Sequence, residues 1–275
     1  MLSARNITAK YGRRTVLHDV SLTARPGALT AIIGPNGSGK TTCLKALTGE
    51  LEHSGVVALG GRDCITMQPW ELATLRAVLP QASTLAFPFT VIEVVRMGLR
   101  SGAEALDDTI PLAALDRVGL AGYANRFFQE LSGGEAQRVH LARVLSQVWH
   151  PVVEAEPRWM FLDEPVSSLD IGHQLDVMRV ARAFADQGGG VVAIIHDLNL
   201  TAMFADHVIL FSKGRILASG PPETVIAEEL LAEVYEIDET VRRMLSLAFE
   251  LRSAPGGPGT HKSDKPPQSA SAISA

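Results

Sequence analysis

A glycine-rich segment, GPNGSGKT at residues 34–41, has the composition and spacing of a phosphate-binding loop. Its glycines let backbone N–H groups turn inward around phosphate oxygens. Lys40 can bring a cation to the β- and γ-phosphates of a nucleotide, and the hydroxyl of Thr41 can ligate Mg²⁺. An apolar run at residues 28–33 precedes this phosphate loop, and a segment with helical spacing follows it. That strand–loop–helix order favours a nucleotide site over a chance glycine-rich turn.

Two adjacent acids, Asp163 and Glu164, follow a second apolar run at residues 159–162. A buried strand would deliver them to the end of a sheet, where ligands bind in open α/β folds. Asp163 is then placed to hold Mg²⁺ through water, and Glu164 to orient or deprotonate an attacking water. Acids often follow strands, so this pattern is weak alone. Combined with the phosphate loop, it is a strong indication of nucleotide chemistry.

The elements that must position these residues alternate between strand and helix. Helical character is predicted across residues 90–147 and again across 174–185. Short apolar or alternating runs predict strands at residues 2–8, 16–22, 28–33, 55–59, 76–79, 159–162, 191–195, 207–211 and 215–218. Strand-then-helix alternation predicts an α/β fold with a largely parallel sheet, interrupted by a mostly helical stretch.

Composition narrows the class of protein. The 275 residues are 46% apolar with a net charge of −5, and this mild acidity argues against a nucleic-acid partner. The two cysteines, Cys43 and Cys64, are expected to be reduced thiols rather than a disulfide framework. No run reaches the roughly 18–20 apolar residues of a membrane span, so we expect a soluble chain, and any membrane role would have to come through a partner. The tail at 253–275 is predicted to be disordered.

A third motif, LSGGE at residues 131–135, opens a helix that continues as AQRVHLARVL. With the two motifs above, it resembles the ATP-binding cassette (ABC) family, whose signature is LSGGQ. The resemblance implies a P-loop NTPase cassette over residues 1–252, with a mainly parallel sheet core and an N-terminal antiparallel β part. It also implies a helical subdomain at about 84–150. ATP and Mg²⁺ are the implied ligands.

The resemblance also assigns site residues. Family members pair head to tail as a homodimer, so that the signature of one subunit closes on the γ-phosphate held by the other. Tyr11 matches the aromatic residue that stacks on adenine, and Asp170 lies in the loop that crosses the dimer interface. The remaining implied nucleotide-binding residues are Gly34, Pro35, Asn36, Gly37, Ser38, Gly39, Lys40, Thr41, Thr42, Ser132, Gly133 and Gly134.

The implied catalytic residues are Glu164, His196 and Gln81, and the implied metal ligands are Thr41, Gln81 and Asp163. Gln81 matches the glutamine that contacts metal and water and senses the membrane partner. His196 follows a predicted strand and matches the histidine that reaches the γ-phosphate. A histidine in that position is more often structural, but the order of the motifs favours the functional role.

Three stretches, residues 76–98, 164–182 and 196–210, are most similar to the ATPases of bacterial haem (hemin) importers. Residues 147–159, which lengthen the link between the signature helix and the strand before Asp163, resemble the same ATPases. Iron-siderophore and cobalamin importers are close relatives and remain the alternative. The resemblance implies a transmembrane permease dimer, docked on the helical stretch, and indirectly a periplasmic haem-binding protein. The location implied is the cytoplasmic face of the inner membrane.

Other P-loop classes fit less well. Cassette ATPases of DNA maintenance place a long coiled coil between the phosphate loop and the signature, and the interval from Gln81 to Leu131 is too short for one. Translation-associated cassette proteins usually carry two cassettes, whereas one is present here. P-loop kinases would lack both LSGGE and the histidine after the last strand.

Overall fold

The computed structural model describes residues 1–81, 87–167 and 169–235. The predicted disordered tail, the end of the predicted 1–252 domain and Ser168 lie outside the described residues. By its contacts the chain divides into two units, Met1–Ala227 and Glu228–Ala275. The described part of the second unit is a single helix, α9 (Glu228–Tyr235).

All other described elements belong to the first unit. Its strands are β1 (Leu2–Tyr11), β2 (Arg14–Ala24), β3 (Leu29–Ile33), β4 (His53–Leu59), β5 (Arg62–Asp63), β6 (Arg76–Leu79), β7 (Val152–Val153), β8 (Glu156–Pro157), β9 (Trp159–Asp163), β10 (Gly190–Ile194), β11 (His207–Ser212) and β12 (Arg215–Gly220). Its helices are α1 (Lys40–Leu47), α2 (Pro69–Leu75), α3 (Val91–Ser101), α4 (Ile110–Arg117), α5 (Gly133–Gln147), α6 (Ile171–Asp186), α7 (Leu198–Phe204) and α8 (Pro222–Val225).

The main sheet has six strands in the order β12-β11-β3-β10-β9-β6. The pairings from β11 to β6 are parallel, and β12 joins the edge antiparallel to β11. Every residue of β3, β9 and β10 is buried, as expected for central strands covered on both faces. These buried runs are the apolar segments of the sequence, which confirms the predicted α/β class with a mainly parallel sheet.

A second sheet, in the order β2-β1-β4-β5, is antiparallel and uses mostly the N-terminal residues. Alternate residues of β1 point into the core until the register shifts after Ala4. At this bulge Asn6 has a φ of 53°, and its side-chain amide donates to Asp19 at 2.8 Å. This sheet confirms the predicted antiparallel β part.

Helices α3, α4 and α5 occupy the stretch predicted to be helical. The axes of α3 and α5 approach closely at Gly98, where a Cβ atom would overlap the backbone carbonyl of Arg143. Ser146 on α5 donates its hydroxyl to the carbonyl of Val95 on α3 at 2.9 Å, so a polar contact also joins the two helices.

Two polar contacts tie this helical stretch to the sheet. The amide of Gln147, at the end of α5, donates to the carbonyls of Ala73 and Arg76 at 2.9 and 3.0 Å. Arg158, immediately before β9, donates twice to the carboxylate of Glu104, at 2.6 and 2.8 Å. Arg158 is 3% exposed and the side chain of Glu104 is 15% exposed, so most of this ion pair lies out of water. In the described part of the chain, no helix is both long and apolar enough to cross a membrane.

Candidate active site

An open cleft of about 640 Å³ lies where the carboxyl ends of β3, β6, β9 and β10 meet. Loops that follow parallel strands converge at this edge, which is where open α/β sheets bind ligands. The described residues that line the cleft are Arg14, Val16, Asn36, Gly37, Gly39, Lys40, Thr41, Thr42, Gln81, Glu164 and His196. The structure therefore gathers the phosphate loop, Gln81, Glu164 and His196 in one place, although they are far apart in the sequence.

The phosphate loop has a conformation that requires glycine at its start. Gly34 has a φ of 142°, and a Cβ atom there would overlap the carbonyl oxygen of Phe211 on β11. The loop closes on itself, because the Lys40 ammonium donates to the carbonyls of Gly34 and Pro35 at 2.8 and 2.9 Å. Helix α1 then begins at Lys40, so its N-terminal N–H groups face the cleft.

One buried cation, Lys40, lies close to two acids at the cleft. Lys40 is 5% exposed, and burial lowers its pKa while the nearby Glu164 and Asp163 carboxylates partly restore it. Ser38 in the same loop is buried, and its hydroxyl has no hydrogen-bond partner among the described residues. A buried donor of this kind beside inward-turned N–H groups fits a phosphate oxygen.

The residues predicted to hold metal also meet here. Thr41 donates its hydroxyl to Asp163 at 3.2 Å. Asp163 is 2% exposed; burial raises its pKa, and the hydrogen bond from Thr41 opposes that rise. The described residues hold no cluster of three or more His, Cys, Asp or Glu side chains suited to a metal. A hydroxyl, one carboxylate and the Gln81 amide fit Mg²⁺, which usually completes its shell with water and substrate phosphates.

Glu164 and His196 form the second polar pair of the cleft. Their strands are neighbours in parallel register, with Asp163 opposite Ile194, so the residues just beyond them fall side by side. The Glu164 carboxylate lies 2.6 Å from Nε2 of His196. Glu164 has a φ of 51°, a left-handed conformation that is uncommon outside glycine and is often found at functional sites. This pair can orient a water molecule and exchange a proton with it.

Sequence reasoning missed Arg14 and Val16, which line the cleft from β2. The register of the hairpin places Arg14 opposite Tyr11, which is 49% exposed and is not among the described residues that line the cleft. No motif marks Arg14 or Val16; only the strand pairing next to Tyr11 would have found them.

The signature residues are not brought to this cleft. Ser132 caps α5, and Gly133 and Gly134 form its first turn. The Glu135 carboxylate accepts from the N–H and the hydroxyl of Ser132, both at 2.8 Å, and from the hydroxyl of Tyr123 at 2.8 Å. These hydrogen bonds lower the pKa of Glu135 to about 2. The fifth residue of the signature is thus a fixed anion that orders the helix start.

Asp170 also lies away from the residues that line the cleft. It caps α6 by accepting the backbone N–H of His173 at 2.9 Å, and Nδ1 of the same histidine lies 2.8 Å from its carboxylate. These hydrogen bonds hold the pKa of Asp170 below its usual range. Asp170, Ser132 and Gly133 are exposed to solvent, as residues that meet another protein would be, whereas the other signature residues are half-buried.

Residues 17–167 match the family model described as ABC transporter. This chain belongs to the ABC transporter family. It is an ATPase of that family and binds ATP, which confirms the predicted family and enzyme class. The hemin import ATP-binding protein HmuV of Roseobacter denitrificans is 59% identical over 85% of this chain and 90% of that protein. The protein of the same name from Jannaschia sp. is 58% identical over 86% and 87%.

Solved ABC cassettes share the fold. A dimeric bacterial ABC transporter cassette is 26% identical, covers 81% of this chain and 99% of its own, and has a TM-score of 0.69. An ABC transporter cassette solved in its ADP conformation is also 26% identical, covers 86% and 99%, and has a TM-score of 0.71. These likenesses confirm the predicted P-loop cassette fold.

Proposed function

We propose that this ABC ATPase drives an importer that carries hemin across the bacterial inner membrane. The supporting observation is the naming of its relatives: proteins 58–59% identical over most of the chain are hemin import ATP-binding proteins. Iron-siderophore or cobalamin import is the alternative, since the transported molecule would not touch this subunit.

In the proposed reaction, Lys40 and the inward-facing N–H groups of the phosphate loop bind the β- and γ-phosphates of ATP. Glu164 orients the attacking water and accepts its proton, and His196 supports Glu164 from 2.6 Å and contacts the γ-phosphate. Tyr11 stacks on adenine beside Arg14, its partner across the hairpin.

Mg²⁺ is proposed to bind through Thr41, Gln81 and Asp163. When bound, it would neutralise charge that develops on the phosphate oxygens. The chain's own contribution is the hydrogen bond from Thr41 to Asp163, which sets the direction of both oxygen ligands.

Each site is proposed to be completed by a second copy of the chain. Ser132 and Gly133, which are exposed, and Gly134, which is half-buried, form a helix start suited to an anion, yet they are not among the described residues that line their own cleft. A solved relative described as a dimeric cassette supports pairing between copies. In the closed dimer the signature of one subunit would cover the γ-phosphate held by the other, with Asp170 at the interface.

The proposed partners are a transmembrane permease dimer, docked on the helical stretch, and indirectly a periplasmic haem-binding protein. The subunit would lie at the cytoplasmic face of the inner membrane. ATP would then shift the population toward the closed dimer, because closure adds contacts that only nucleotide-bound subunits can make.

Reconstitution tests the substrate. The chain is combined with its permease in liposomes, and ATP hydrolysis is measured with haem-loaded, siderophore-loaded or cobalamin-loaded binding protein outside. We expect haem-loaded protein alone to stimulate hydrolysis. Stimulation by a siderophore-loaded or cobalamin-loaded protein, with none by the haem-loaded one, would support the alternative.

The Glu164→Gln variant tests the catalytic role. Its amide cannot accept a proton from water, so we expect ATP to bind while turnover falls at least about a hundredfold. The ATP-loaded dimer should then persist in size-exclusion chromatography. Turnover near that of the unchanged chain would remove Glu164 from its role.

A further inference from the structure

The turn that follows Glu164 is held by side-chain amides from two different helices. On one side, Gln174 of α6 donates to the carbonyls of Val166 and Leu169, at 3.3 and 3.0 Å. On the other side, Gln137 of α5 donates to the carbonyl of Pro165 at 3.3 Å. The backbone immediately after Glu164 is thus fixed by hydrogen bonds that do not come from its own strand.

The conformation of Glu164 needs such support. A left-handed φ at a non-glycine residue costs free energy and persists only where the surroundings enforce it. Pro165 is buried and lacks a backbone N–H, so its carbonyl is the one backbone hydrogen-bonding group it offers. The bond from Gln137 to that carbonyl therefore acts one residue away from the Glu164 carboxylate and its contact with His196.

Gln137 also belongs to the helix that begins at the signature. Ser132 caps α5, and five residues later, roughly 7.5 Å along the axis, Gln137 projects toward Pro165. Glu135 fixes the start of the same helix through Ser132 and Tyr123. A displacement of the helix start would reach Pro165 through little more than one helical turn.

We propose that Gln137 is a positioning residue that couples the two ATP sites of the dimer. Contact of the signature with the nucleotide in the partner's cleft sets the position of α5, and Gln137 passes that position to the turn that carries Glu164. Each subunit then hydrolyses its own ATP efficiently only when its signature is engaged on the other ATP. This inference rests on the proposed roles of Glu164 and Ser132.

The test replaces Gln137 by Met, which keeps the side-chain length but cannot donate. ATPase rates of the full-length chain in its reconstituted complex are measured against ATP concentration. We expect kcat to fall by roughly three- to tenfold, the factor that one lost hydrogen bond represents, with KM changed less than about twofold. The Hill coefficient should fall toward one, since the two sites no longer communicate.

Gln147→Met is the matched control. Gln147 lies on the same helix and also donates its amide to core carbonyls, but at the far end from the cleft. We expect this variant to lower the melting temperature and to leave kcat and the Hill coefficient of the folded protein unchanged. Equal losses of kcat in both variants would mean that Gln137 only stabilises the fold, and the inference would be wrong.

A second variant, Gln137→Glu, places a carboxylate against the Pro165 carbonyl and should lower kcat further than Met does. A kcat and Hill coefficient that stay within about 1.5-fold of the unchanged chain in both variants would overturn the coupling role. Glu164→Gln, measured in parallel, separates the two proposals. If it abolishes turnover while Gln137→Met leaves kcat and the Hill coefficient unchanged, only the coupling fails. If Glu164→Gln retains turnover, the proposed site fails and the coupling with it.

Discussion

The buried ion pair between Arg158 and Glu104 offers the sharpest test of how the helical stretch is held. Replacing Arg158 by Met keeps much of the side-chain volume but removes both hydrogen bonds to the carboxylate. Glu104, whose side chain is 15% exposed in the intact pair, is then left without its partner cation. The reverse change, Glu104→Met, leaves the guanidinium of Arg158 buried and unpaired.

The expected loss of stability follows from the burial of this ion pair. Removing one partner of a buried pair typically costs about 3–5 kcal/mol, because the remaining charge cannot recover its hydration. For a chain of this size, each kcal/mol lowers Tm by roughly 2–4 °C, so each single variant should lose at least about 6 °C. The double variant, with two apolar side chains packed together, should lose less than either single one.

The assay is a double-mutant cycle, read by urea unfolding followed by circular dichroism and by thermal unfolding. A coupling free energy of at least about 2 kcal/mol is expected between the two positions. Single variants that each cost less than about 1 kcal/mol, and that combine additively, would refute the reasoning. The pair would then be no stronger than a surface salt bridge.

Three further predictions concern the cleft and the signature. Lys40→Ala should weaken ATP binding by roughly ten- to a hundredfold in a fluorescent-nucleotide titration, since a charge-assisted bond to phosphate is lost; unchanged affinity would count against the phosphate loop. Gly34→Ala should lower both stability and ATP affinity, because its Cβ overlaps the Phe211 carbonyl. Gly37→Ala meets open space at a φ of 75° and should lower the free energy of unfolding in urea by only about 1 kcal/mol. Equal losses of unfolding free energy in the two glycine variants would refute the overlap at Gly34. The pKa of Glu135, about 2 against the usual 4.5, means that its stabilising effect is complete above about pH 4.5 and is lost as the pH falls toward about 2. Glu135→Gln should therefore lose less stability than the unchanged chain between about pH 6 and pH 3, and parallel curves would contradict this.

Much of the main sheet could be predicted because its central strands are buried on both faces. Such strands appear in the sequence as short unbroken apolar runs, and the predicted strands at 28–33 and 159–162 each differ from β3 and β9 by one residue at one end. The β7–β8 hairpin was missed because each strand has two residues and the turn uses Glu154 and Ala155. Both have positive φ without being glycine, so no turn signal marks them.

Helix α7 was missed for a different reason. It has seven residues, so it is too short to show a clear helical period. Its start is defined by the Asp197 carboxylate, which accepts from the N–H groups of Asn199 and Leu200. The capping residue was visible in the sequence, but an aspartate after a strand is equally typical of a loop.

The residues of the candidate site also fall into those that a local motif marks and those that only strand pairing brings in. Lys40 and Glu164 line the cleft, and Asp163 accepts a hydrogen bond from Thr41, which also lines it; local motifs marked all three, and their roles stay predictions. Arg14 and Val16 were missed because they reach the cleft through pairing between strands, which local spacing does not encode. The roles of Tyr11, the signature and Asp170 stay predictions, since the described residues that line the cleft do not include them.

The order of strands has a consequence for how the protein is made. Strand β3, which leads into the phosphate loop, pairs on one side with β10 and on the other with β11. Both neighbours lie within residues 190–212, so the ribosome must synthesise most of the chain before β3 has either partner. Until then β3 is an apolar strand without a partner on either edge, and unpaired edges of this kind favour aggregation. Nascent chains shorter than this should lack a formed phosphate loop and should depend on chaperones to stay productive.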